Sequence, residues 1–135
     1  MRGLQKNIRI IFGVVLFYLL NKFIVRPYIL KGDFIEELNI LVLSFPNLCE
    51  AIVGSLFLTN VGLIANAKIL KTNEIYIYSI AIIFASIYVI LQELKIHNLG
   101  GENVYDHYDV LFSIVGLLIT FIFLVIDKPK WMSNE

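Results

Sequence analysis

This sequence predicts an all-α transmembrane four-helix bundle, and three observations predict it. Of its 135 residues, 59% are hydrophobic and only 16% are charged, against about 45–50% and about 25% in average soluble domains. The mean hydropathy is +0.80. The apolar residues also gather into four long runs, and a helix rising about 1.5 Å per residue needs about 20 of them to cross about 30 Å of hydrocarbon.

The first run extends from Ile8 to Val25, interrupted by Arg9, Asn21 and Lys22. Arg2, Lys6 and Arg9 ahead of it would suit a signal peptide, but Asn21-Lys22-Phe23-Ile24-Val25-Arg26-Pro27 contains no small-x-small cleavage site, so a retained span is expected. The second run covers Leu48 to Ala67, broken by Glu50, Asn60, Asn66 and small hydroxyl residues. The third, Ile75 to Leu91, and the fourth, Val110 to Ile126, hold 17 residues each and no charge. Their Ile, Val and Phe content would also suit buried parallel strands. Length decides against that, since strands usually stop after about 4–8 residues, and lipid favours a segment that satisfies its own backbone. The expected spans are thus 8–25, 48–67, 75–91 and 110–126, within a single integral membrane domain, 1–135.

Between the first two spans, Phe34, Ile35, Leu38, Leu41 and Val42 recur at helical spacing behind Asp33, a suitable cap. This predicts a short interfacial amphipathic helix between spans one and two. Pro46 then falls in the first turn of span two, where its missing N–H costs nothing. Orientation follows the basic residues. With both termini cytoplasmic, Arg2, Lys6, Arg9, Lys68, Lys71, Lys128 and Lys130 lie inside, and Lys22, Arg26, Lys31 and Lys95 outside. A bacterial inner-membrane location is the expectation, with Trp131 as an interfacial anchor.

Several function classes drop out. Lys+Arg and Asp+Glu balance at 11 each, which leaves no field to draw nucleic acid. The single cysteine, Cys49, cannot form an internal disulfide. His97 and His107 match no metal-ligand spacing, so neither metal nor cofactor is expected. There is no Ser-His-Asp arrangement, phosphate-cradling glycine loop or HExxH motif, which points to a non-enzymatic role.

On this topology the informative polar residues share the outer side. Glu50 starts span two, Gln92 and Glu93 end span three, Asp106 and Asp109 begin span four, and His97 and Asn103 lie in the loop between them. Carboxylates near a bilayer tend to face a bundle interior or a water-filled cavity. These seven residues therefore form the candidate ligand-binding set, in a pocket bounded by spans two, three and four. The acids at helix starts equally suit the positive end of a helix dipole. Ser113, Gly116 and Thr120 continue the Asp106–Asp109 face at steps of three and four, and small residues of this kind let membrane helices approach closely.

The stretch Tyr88 to Gly116 resembles the signature region of VanZ-like membrane proteins. In that family a Gln or Glu ends one span, an Arg-x-x-Asp-x-x-Asp segment follows in the external loop, and Asn and Gly stand three to four residues apart in the last helix. Gln92-Glu93, Asp106, Asp109 and Gly116 match that pattern, while Asn103 stands in place of the Arg and Ser113 in place of the helix Asn. The family comprises small bacterial multi-pass proteins linked to low-level teicoplanin tolerance. The resemblance implies an envelope-associated, non-enzymatic protein. Membrane lipids are the expected partners. The alternative is an accessory subunit that docks on a membrane-protein partner, or on a second copy, through its small-residue stripe.

Overall fold

The computed structural model describes residues 2–32, 34–93 and 107–128. Among these residues every regular element is a helix and none is a strand. Helix α1, Arg2–Leu20, passes through a π-helical turn, Asn21–Val25, into α2, Arg26–Lys31. Helix α3, Glu36–Ala65, runs on through a second π-helical turn, Asn66–Leu70. Helices α4, Glu74–Glu93, and α5, His107–Asp127, complete the set. Four helical stretches are long and apolar enough to cross a membrane: Leu4–Lys31, Glu36–Leu70, Glu74–Gln92 and His107–Asp127. Large apolar side chains cover their outer faces, with Phe12 79% and Ile126 76% exposed. A water-soluble protein rarely shows such a surface, whereas lipid tails solvate it. The chain is a multi-pass membrane protein with an all-α, four-helix architecture.

Pro27 and Pro46 are absorbed into helix rather than obeyed as breaks. A proline ring collides with the carbonyl four residues back and supplies no N–H. Just ahead of Pro27 the ladder slips by one residue, so that the Arg26 N–H reaches the Asn21 carbonyl, five positions back. Pro46 does not open span two. It lies well inside α3, which continues through it from Glu36. The amphipathic segment expected as a separate interfacial helix is therefore helical but forms the first turns of α3. Asp33 lies outside the described residues; Ile35 holds the N-cap position with no side-chain cap, and Glu36 and Glu37 supply the negative charge that the helix start favours.

Helix α3 is the axis of the molecule. It packs against α1, α4 and α5, and α4 packs against α5, while α1 joins the bundle mainly through α3. One buried cluster comprises Leu56, Leu63, Ile77, Tyr78 and Leu124, and another Ala51, Ala85, Val89 and Leu117. Three buried hydroxyls are satisfied within their own helices. Ser55 donates to the Ala51 carbonyl at 2.6 Å, Thr59 to the Ser55 carbonyl at 2.8 Å and Thr120 to the Gly116 carbonyl at 2.9 Å, which leaves their outer surfaces free for close apolar packing.

Polar contacts secure the end of the bundle where α1 starts and α5 stops. Lys6 pairs with Asp127, and its ammonium lies 5.4 Å from the centre of the Phe123 ring. The buried Asn7 amide donates to Asn60 Oδ1 at 2.8 Å, tying α1 to α3. At the turn into α4, Asn66 Nδ2 donates to the Thr72 carbonyl, while the Thr72 N–H and hydroxyl both donate to Asn66 Oδ1. Lys71 takes the left-handed conformation that reverses the chain there.

Candidate functional site

A cleft of about 550 Å³ opens sideways between α1 and α4 over the exposed face of α3. Val15, Tyr18 and Leu19 form the α1 wall, Glu50, Val53 and Gly54 the floor, and Tyr88 and Gln92 the α4 wall. The gap exists because α1 leans mainly on α3 and makes no comparable packing with α4. Gly54 keeps it deep: no atom lies within 4 Å of where its Cβ would stand. A second apolar recess of about 390 Å³, lined by Phe57, Leu58, Phe84 and Ala85, shares Glu50, Gly54 and Tyr88 with the first. Together they make a continuous groove along α3 from Glu50 toward the middle of the span.

Polar chemistry concentrates at one end of this groove. Gln92 Nε2 donates to Glu50 Oε2 at 3.5 Å, a long contact that bridges α4 and α3. Both side chains are exposed, and among the described residues Glu50 has no cationic partner. Beyond the α1 wall, in the π-helical turn, Lys22 Nζ donates to the Tyr18 hydroxyl at 3.4 Å and stands 5.6 Å from the centre of that ring. Two opposite charges therefore flank the groove without joining.

Of the sequence-derived ligand set, the fold brings Glu50 and Gln92 together. Glu93 closes α4. Asp109 lies in the first turn of α5, half-buried, and does not line this groove; its charge suits that helix start. His97, Asn103 and Asp106 lie outside the described residues. The dipole explanation fails for Glu50, which sits in the interior of α3 rather than at its start. In this cleft the third wall beside α3 and α4 comes from α1, not α5. Ser113, Gly116 and Thr120 are buried, with the Gly116 backbone against the Leu48 carbonyl and Ala51. That seam closes α5 onto α3 and leaves no cleft between them.

Sequence reasoning missed Tyr18, Lys22 and Cys49 as site residues. Cys49 is buried beside Glu50 and lines the cleft. Tyr18 and Lys22 are one helical turn apart, near the end of an apolar run, which is the available signal that a polar rim begins there. Among the described residues, no three His, Cys, Asp or Glu side chains gather in a metal-binding group. No protein-family model matches the chain, and neither does any curated protein or solved structure, so the groove's own geometry carries the functional reading.

Proposed function

We propose that this is a small VanZ-like protein of the bacterial cell envelope, non-enzymatic, set in the inner membrane with both termini cytoplasmic. In this reading it binds a lipid or envelope amphiphile in an outward-facing acidic groove. One observation carries it: an unneutralised carboxylate, Glu50, stands at the polar end of an apolar groove that is open to the bilayer along its length. An ionisable group held at membrane depth is costly unless it serves a ligand or a path. An amphiphile answers both halves of the site, with its polar head on Glu50 and Gln92 and its tail on Val53, Gly54 and Phe57. Docking of an accessory subunit through Ser113, Gly116 and Thr120 finds no such support, because α3 already covers that face.

The test is native mass spectrometry of the protein released from nanodiscs. A retained lipid adduct is expected, and Gly54→Leu, which fills the groove, should remove it. Gly13, around which no atom lies within 4 Å either, is away from the groove, so Gly13→Leu should keep the adduct. Wild-type protein emerging free of any adduct would end this reading.

A further inference from the structure

Building on that lipid reading, we infer that the groove selects a zwitterionic phospholipid whose headgroup carries a primary amine, with the ammonium on Glu50 and Gln92 and the phosphate facing Lys22. Two charges near the polar end of the groove are the starting point, Glu50 on its floor and Lys22 beyond the α1 wall. Glu50 on the floor accepts one long hydrogen bond from Gln92, which leaves most of its lone pairs open. Lys22 uses one of its three N–H donors on the Tyr18 hydroxyl and, among the described residues, has no carboxylate partner. Tyr18 itself lines the groove, so the Lys22 ammonium lies one hydroxyl beyond the α1 wall. A head bearing both an ammonium and a phosphate satisfies both charges at once, whereas an anionic head without an amine would face Glu50 uncompensated.

The nitrogen must also donate. A primary ammonium carries three N–H bonds for the Glu50 carboxylate and the Gln92 side-chain carbonyl, and such charge-assisted bonds are short and strong. A quaternary ammonium has none and is held instead by several aromatic faces. In the cleft where Glu50 meets Gln92 the aromatic lining is Tyr18 and Tyr88, and Lys22 already stands over the Tyr18 ring; Phe57 and Phe84 line the adjoining recess that takes the acyl chain. The acyl chain continues along Val53, Gly54 and Phe57 into the second recess.

The discriminating experiment uses nanodiscs containing equal amounts of phosphatidylethanolamine, phosphatidylcholine and phosphatidylglycerol with identical acyl chains, followed by native mass spectrometry of the released protein. Wild type should retain the ethanolamine lipid over the choline lipid by about tenfold, the weight of one hydrogen bond to a charged group. Glu50→Gln should bring that ratio close to one. Lys22→Met should lower retention of both lipids and keep the ratio. Bound lipid with equal ethanolamine and choline occupancy in wild type, or with phosphatidylglycerol dominant, would overturn the headgroup inference and leave the lipid reading standing. No adduct of any class would overturn both. Should Glu50→Gln fail to insert, the wild-type ratio still decides.

Discussion

Gly116 of α5 lies so close to the Leu48 carbonyl of α3 that a Cβ built on it would fall 2.7 Å from that oxygen and 3.0 Å from the Ala51 Cβ. The obstacle is backbone, which cannot rotate away as the tip of a flexible side chain can. Helices α3 and α5 can share this seam only while the position has no side chain. Gly116→Ala is expected to cost about 1–3 kcal/mol, the usual penalty of overpacking. Gly13→Ala, in open surroundings, should leave stability equal to wild type or slightly higher. Thermal midpoints in one detergent compare the two; equal midpoints for both variants would refute the close approach.

The Asn7–Asn60 contact joins α1 to α3 by one hydrogen bond between buried side chains. Asn7→Leu strips Asn60 of its donor and should cost about 1 kcal/mol, in the range of interhelical polar pairs in membranes. Replacing both residues by Leu leaves no orphaned amide, so the double variant should be more stable than the two single effects summed. Additive losses would show that the pair is not coupled.

At the α3–α4 turn, one side chain answers three groups of Thr72. Asn66→Ala should cost about 1–3 kcal/mol, because Asn66 is itself buried and its backbone partner would be left without an acceptor. Asn66→Asp keeps the acceptor for the Thr72 N–H and hydroxyl and loses only the bond to the carbonyl, so it should recover much of the loss. Amide hydrogen exchange at Thr72 reports this directly: rapid in the Ala variant, slowed again in the Asp variant.

Orientation is open to chemical labelling. With Cys49 replaced by Ser, a cysteine at Asp109 should react with an impermeant maleimide on intact cells. A cysteine at Lys71 should react only after permeabilisation. The reverse pattern would invert the topology and place the Glu50 groove on the cytoplasmic side.

The four spans were legible because hydrocarbon thickness imposes a run length that few other structures need, and 17 uncharged residues from Ile75 or Val110 leave little room for another reading. Pro46 misled because proline favours the first turn of a helix, where its missing N–H is not needed. Inside a bundle, neighbouring helices hold the chain helical on both sides of it. Glu50 was singled out for its charge, and its pairing with Gln92 follows from α3 and α4 running antiparallel. Tyr18 and Lys22 were not legible as site residues. Their role depends on which flank of α3 the first helix takes, and no local pattern in the sequence encodes that choice.

The central position of α3 bears on how the protein is built during synthesis. Helix α1 is made before α3 but finds its main neighbour only when that next span follows it. From then on a two-helix hairpin already holds the Asn7–Asn60 bond and one side of the lipid groove. Helices α4 and α5, which contact each other as well as α3, can then dock as a pair onto a finished template. The span that follows α1 is thus the template on which α4 and α5 assemble.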